Sequence, residues 1–239
     1  MKKNNKITIE EYNGVYVLRD DLLAGGTKSV LMPHILDNEI NAYVYASPVY
    51  GAFQVALAEY CKLIGKKAVI FCAKRKIKHP NTLAVEALGG IVKEIKAGYL
   101  NVVQKHAKDY AKVYQYQYLP FGAYGERTSE LLATRANQVF EKLGFVPDEV
   151  YCAIGSGTLY EALLLTQVPT VYGVSVGKAY NKPPRTNGVV IKYPLGFEKE
   201  CKTVPPFKSS INYDAKAWEV LMQNFKGNEF KKILFWNVY

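Results

Sequence analysis

Two stretches of this 239-residue chain hold residue types that could do chemistry: Ala24-Gly25-Gly26-Thr27-Lys28-Ser29 near the start, and Ala153-Ile154-Gly155-Ser156-Gly157-Thr158 far downstream. A lysine amine at a glycine-softened turn can condense with a carbonyl carbon. Backbone amides presented where a strand runs into a helix make an anion site, helped by the helix dipole. Carbonyl capture and anion binding together suit an aldehyde cofactor that also carries a phosphate, and pyridoxal phosphate is such a molecule. Either motif alone says little, because a lysine after glycines is usually a solvated surface residue and many glycine turns only join a strand to a helix. Gly155–Thr158 lacks the lysine and the longer spacing of a nucleotide-binding P-loop. Its place after the apolar run Val150–Ile154 is that of an anion-binding nest.

The elements that would position these residues follow from periodicity. Lys6–Glu10 and Val15–Leu18 read as strands around Asn13-Gly14, a hairpin dipeptide. Beyond Lys28 the apolar residues Val30, Leu31, Ile35 and Leu36 recur at helical spacing. An alternation then predicts strands at Ala42–Tyr45, Ala68–Cys72, Ile91–Ile95 and Val113–Tyr116, with helices at Phe53–Ile64, Thr82–Leu88 and Leu100–Ala111 between them. The turn-rich run Leu119–Gly125 opens a second alternation: helix Thr128–Leu143, strand Glu149–Ile154, helix Leu159–Gln167, strand Thr170–Val174. After a segment rich in Pro, Asn and Gly with one strand at Val189–Lys192 come helix Ala215–Phe225 and strand Lys232–Trp236. Strands alternating with helices imply parallel sheets with right-handed crossovers. The expected architecture is α/β: two open, mostly parallel sheets flanked by helices. A small domain over residues 30–120 and a larger cofactor-binding domain over 1–29 plus 121–239 would meet at a cofactor cleft.

Composition narrows the function. With 49% hydrophobic residues the chain can bury a real core. No apolar run approaches the ~20 residues of a membrane span, and Met1-Lys2-Lys3-Asn4-Asn5-Lys6 leads into a strand, not a signal-peptide core, so a cytoplasmic location is expected and a membrane partner is not. Cys61, Cys72, Cys152 and Cys201 are scattered, and His34, His79 and His106 lack the spacing of helical metal ligands, so no metal site is expected. The net charge of +10 rests mostly on lysine, with only Arg19, Arg75, Arg127, Arg135 and Arg185 as arginines. Nucleic-acid readers favour the bidentate arginine fork, so a basic surface is the better reading than a nucleic-acid partner. Tyr114, Tyr116 and Tyr118 read as strand and core aromatics. The run Lys74–His79 follows a strand and so stands at a sheet's carboxyl edge, where it could draw an anionic substrate or simply be a solvated loop.

Arg19-Asp20-Asp21-Leu22 followed by Gly25-Gly26-Thr27-Lys28 resembles the lysine region of fold type II pyridoxal-phosphate enzymes, in the branch of 1-aminocyclopropane-1-carboxylate deaminase and D-cysteine desulfhydrase. Gly155-Ser156-Gly157-Thr158 resembles that family's phosphate loop, G-S-G-G-T, one glycine shorter. Val171–Val176 is similar to the strand after it, Tyr213-Asp214-Ala215-Lys216-Ala217 to the Y-[TE]-x-K-A segment, and Ile233-Leu234-Phe235-Trp236 to the closing strand. The resemblance runs through almost the whole chain in the expected order.

What it implies is a lyase or deaminase acting on a small amino acid through an internal aldimine and α-carbanion chemistry, with pyridoxal phosphate as cofactor and a homodimer as the assembly. Lys28 would hold the cofactor and move the α-proton, with Tyr213 near the substrate. Gly155, Ser156, Gly157 and Thr158 would hold the phosphate, and Asp214 the pyridine nitrogen. A carboxylate there favours the cationic ring, although Asp214 is also a preferred residue for capping the helix expected from Ala215. The family's Asn-bearing S-N-H element is absent from Ala46–Gln54, where Ser47 or Tyr50 could take over its contact. That departure, with a compact segment between Gly177 and Tyr213, supports the alternative of a catalytically degenerate binding protein on the same scaffold.

Overall fold

Asn13 and Gly14, both at positive φ (53° and 77°), close a tight hairpin between strands β1 (Ile9–Tyr12) and β2 (Val15–Arg19), so the dipeptide supplies the conformation such a turn demands. The computed structural model describes residues 6–37, 39–96, 99–177, 179–183, 185–225 and 230–239. The chain divides into two units, one made of the residues up to Leu22 with those from Tyr124 onward, the other of Leu23–Ala123. This boundary puts the Lys28 turn in the smaller unit, whereas the sequence reading assigned residues 1–29 to the larger one.

In the smaller unit, strands β3 (Ala42–Ala46), β4 (Lys67–Ala73), β5 (Ile91–Ile95) and β6 (Gln117–Leu119) form a parallel sheet in the order β5-β4-β3-β6. The short helix α1 (Met32–Ile35) follows a 3-10 turn over Gly26–Leu31. Helix α2 (Phe53–Leu63) and helix α3 (Pro80–Ala87) help bury Tyr43, Tyr45 and Ile70 on one face. Helix α4 (Leu100–Tyr114) covers Val44, Val69 and Phe71 on the other with a stripe of Val103, Ala107 and Ala111. Residues Val113 and Tyr114, expected in a strand, are the last turn of α4. Gln115 ends the helix in a left-handed conformation, and β6 begins at Gln117.

In the larger unit, β7 (Glu149–Ile154), β8 (Thr170–Ser175), β9 (Gly188–Lys192) and β10 (Ile233–Asn237) join the hairpin in the order β1-β2-β10-β7-β8-β9, parallel except for β1. Strands β7 and β10 are buried along their whole length, which explains their near-continuous apolar sequences. Helix α5 (Glu126–Leu143) packs on α6 (Thr158–Leu163), and α7 (Asp214–Asn224) lies over β7, β8 and β10. There Trp218 meets Phe235 edge-on, with ring centroids 5.2 Å apart.

The carboxyl ends of β2 and β10 are tied together by a buried polar lattice. Arg135 of α5 donates to both carboxylate oxygens of Asp20, through Nε at 3.2 Å and through Nη2, and the Trp236 indole donates to the same carboxylate at 3.2 Å. Arg19 forks onto Asp21 at 2.8 and 2.9 Å, and the Asn237 amide reaches Asp21 at 2.8 Å. Removing one member of a buried pair strands the other charge at a cost of about 3–5 kcal/mol. Arg135→Met should therefore lower the unfolding free energy by about 3–5 kcal/mol in urea titration. Combining it with Asp20→Asn should recover part of the loss, because no uncompensated charge is then left buried.

Candidate functional site

Gly25 and Gly26, at φ of 76° and 73°, carry the chain into the Lys28 turn. A Cβ on Gly25 would lie 2.2 Å from the backbone nitrogen of Ala56, so the turn rests directly on α2 and admits no side chain. Lys28 is thereby brought half-buried to the carboxyl edge of the smaller sheet. Its ammonium donates to the Gly122 carbonyl just beyond β6 at 3.0 Å and lies 5.8 Å from the Phe53 ring centroid. Loss of solvation pulls its pKa down from the ordinary lysine range to about 8. A lysine so tuned offers a substantial fraction of neutral, nucleophilic amine near neutral pH.

The loops after β3 and β4 share this edge. Ser47 is buried and its hydroxyl donates to the Pro48 carbonyl at 2.8 Å. Gln54, in the first turn of α2, donates to the carbonyls of Val49 and Gly51 at 3.0 and 2.9 Å and so fixes the Ser47–Gly51 loop. Among the described residues its buried Oε1 has no hydrogen-bond partner. Gln54 was not foreseen; the available signal was a glutamine among the apolar residues that open an otherwise buried helix. The Tyr50 ring packs edge-on to His79 with centroids 4.8 Å apart, beneath the Arg75 guanidinium at 5.6 Å. His79 caps α3 by accepting from the Asn81 amide at 3.2 Å, and burial together with the Arg75 charge lowers its pKa. Lys78 pairs with Glu86 at 2.5 Å. The basic run therefore has local structural duties at the sheet edge and is more than a solvated loop.

In the larger unit β7 ends at Ile154 and the chain turns through Gly155-Ser156-Gly157-Thr158 into α6. Helix α6 has only six residues, shorter than the expected Leu159–Gln167, so its dipole contributes little and an anion bound there would rest on the loop's own amides. The Ser156 and Thr158 hydroxyls are 2.9 Å apart. A Cβ on Gly155 would sit 3.0 Å from the Tyr213 ring, and one on Gly157, where φ is 87°, 3.0 Å from the Tyr180 ring. Glu161, in the first turn of α6, accepts from Tyr124 at 2.9 Å, Tyr180 at 3.2 Å and Lys182 at 2.6 Å. Lys182 thus neutralises the carboxylate that stands beside the loop.

Tyr213 and Asp214 join the same neighbourhood. The Tyr213 hydroxyl donates to the Ala153 carbonyl at 3.3 Å, and burial raises its pKa, so it stays protonated. Asp214 does not cap a helix starting at Ala215: α7 begins at Asp214 itself, and Tyr213 occupies the cap position without a side-chain bond. The Asp214 carboxyl is fully buried, accepts from the Tyr239 amide at 3.0 Å through Oδ2, and leaves Oδ1 without a hydrogen-bond partner. Burial raises its pKa well above the usual carboxylate range, only partly opposed by the amides of Tyr239 and Val238. A buried acid with one open oxygen suits a nitrogen base that shares a proton with it.

The structure thus brings Gly155–Thr158, Tyr213 and Asp214 together in the larger unit, and Lys28, Ser47 and Tyr50 onto one sheet edge of the smaller. Among the described residues no group of His, Cys, Asp and Glu could hold a metal ion, and no helix is long and apolar enough to cross a membrane.

No protein-family model matches the chain. Among solved structures it is similar to an ACC deaminase homologue at a TM-score of 0.81 and 18% identity, over 94% of this chain and 83% of that one. It is similar to the Escherichia coli diaminopropionate ammonia lyase at 0.66 and 14%, over 99% and 82%. A threonine deaminase from T.th. also matches at 0.66 and 14%, over 93% and 86%. The mixed α/β chain, with its parallel-dominated sheets and flanking helices, has the fold of the fold type II pyridoxal-phosphate enzymes.

Proposed function

We propose that the protein is a pyridoxal-phosphate-dependent lyase or deaminase acting on a small amino acid. The observation that carries the reading is Lys28, a lysine desolvated to a pKa of about 8 and presented at a sheet's carboxyl edge by a glycine turn that tolerates no side chain. Similarity in fold to solved deaminase and ammonia-lyase structures supports it. The residues also fit the cofactor's three handles. Lys28 offers an amine for the aldehyde, Gly155–Thr158 a glycine backbone for the phosphate, and Asp214 an oxygen without a partner for the pyridine nitrogen. When bound, the cofactor supplies the electron sink.

The chain's own part is positional and electrostatic. Lys28, released from the cofactor, would take the proton from the substrate's α-carbon, a task matched to its lowered pKa. Asp214 would keep the pyridine nitrogen protonated, and the proton shared between them answers the cost of burying the carboxylate. Tyr213 stays a hydrogen-bond donor beside the phosphate loop. The sequence resemblance extends the proposal to a homodimer.

One observation favours a second reading, a binding protein that keeps the scaffold without turnover. The Ser47 hydroxyl is spent on Pro48, in the loop where the related family's asparagine is missing. Exchange of α-protons into small D- and L-amino acids in heavy water separates the two. Exchange supports the enzyme; a cofactor-loaded protein that exchanges none supports the scaffold.

Borohydride reduction after incubation with pyridoxal phosphate should place the pyridoxyl mass on Lys28 in peptide maps, with labelling rising through about pH 8 as the amine deprotonates. A label spread over other lysines, or a midpoint near the ordinary lysine value, would count against the assignment. Gly157→Val forces a side chain into a left-handed turn against Tyr180. It should weaken cofactor retention, measured by dialysis and absorbance; unchanged retention would mean that this loop is not the phosphate site.

A further inference from the structure

We infer that the backbone amide of Tyr239 is the positioning element for Asp214, holding one carboxylate oxygen so that the other alone is turned to the pyridine nitrogen. The inference rests on the proposed cofactor role of Asp214. Asp214 is 0% exposed, and its Oδ2 accepts from the Tyr239 amide at 3.0 Å, while among the described residues Oδ1 has no hydrogen-bond partner. The two oxygens of one carboxylate therefore differ completely in surroundings. A carboxylate bonded through one oxygen cannot rotate about its last bond without losing that bond in a buried place.

The donor is itself locked. Val238 and Tyr239 directly follow β10, a central strand bonded on both sides, so their path is set by the sheet. The Asn237 side chain donates to Asp21 at 2.8 Å and to the Lys208 carbonyl at 2.8 Å, and accepts from Ser209 at 2.8 Å. The Ser210 amide donates to the Tyr239 carbonyl at 2.8 Å. Residues on either side of the Asp214 contact are thus fixed by groups outside it, which is what preorganisation of an electrostatic partner requires. The amides have an electrostatic effect as well. Asp20 and Asp21 both disfavour the charge on Asp214, and the two amides are the groups that oppose this.

Tyr239→Pro deletes the donor N–H, while Tyr239→Ala keeps it and removes only the side chain. In cofactor-free protein, carbon-detected NMR should show the Asp214 carboxyl titrating about one unit higher in Tyr239→Pro than in the parent, and unchanged in Tyr239→Ala. With 15N-labelled pyridoxal phosphate bound, the ring nitrogen shift should move toward the unprotonated value in Tyr239→Pro, in the direction of Asp214→Asn, and stay at the parent value in Tyr239→Ala. Should proline prevent folding, the same donor is deleted by an amide-to-ester exchange at Tyr239 in a ligated chain. If the proline or ester protein matches the parent in both titration and ring shift, the positioning role is overturned while the cofactor reading stands. A parent that takes up no pyridoxal phosphate overturns the cofactor reading and, with it, the positioning role of the Tyr239 amide.

Discussion

The arrangement at the carboxyl edge of the larger sheet depends on the buried lattice of Asp20, Asp21, Arg19, Arg135, Trp236 and Asn237. Its members come from β2 and the turn after it, from β10 and from α5, so a single set of hydrogen bonds sets the relative heights of two neighbouring strand ends. That matters because β10 leads directly to the amide that holds Asp214. The two arginines of the lattice use their planar forks, which lysine could not reproduce, and this explains why arginine stands at these positions in a chain whose other cations are mostly lysine. The geometry is an all-or-none arrangement, since each buried charge is tolerable only while its partner is in place.

Around the anion loop the electrostatics are equally constrained. A glutamate in the first turn of α6 would by itself repel an anion held by Gly155–Thr158. Tyr124, Tyr180 and Lys182 all converge on Glu161, so the carboxylate enters the neighbourhood as part of a neutralised cluster. Tyr180 also stands against Gly157, and Tyr213 against Gly155, so neighbouring rings alone press both positions toward glycine. The glycine pattern thus serves packing, and in the proposed phosphate site it would serve binding as well.

Much of this was legible from residue order. Asn13-Gly14 announced its hairpin, the alternation of apolar runs announced parallel strands, and the glycine turn placed Lys28 correctly after a bend. Two failures share one cause, long-range packing overriding local preference. Val113 and Tyr114 favour strands, yet the Val103, Ala107 and Ala111 stripe buried on the sheet holds them in α4 until Gln115 breaks the helix. Asp214 looked like a cap because its local sequence suits one. Its actual partner is the amide of Tyr239, 25 residues away, which no local pattern could reveal. Gln54 escaped notice for a different reason: its partners, the carbonyls of Val49 and Gly51, are near in sequence but lie in an irregular loop that periodicity does not describe.

The net charge has a location, and with it a meaning that composition alone did not supply. Residues Leu23–Ala123 carry thirteen Lys and Arg against six Asp and Glu, so most of the +10 belongs to the unit that bears Lys28. The share of neutral amine at Lys28 comes from desolvation. The positive field of the unit attracts anions, and both pyridoxal phosphate and an amino-acid carboxylate are anions. Basic charge here needs no nucleic acid to account for it: it is what a unit offering a nucleophilic lysine to an anionic aldehyde would carry. In the larger unit Asp20 and Asp21 are balanced by Arg135 and Arg19, and Asp214 is a buried acid whose Oδ1 has no hydrogen-bond partner among the described residues.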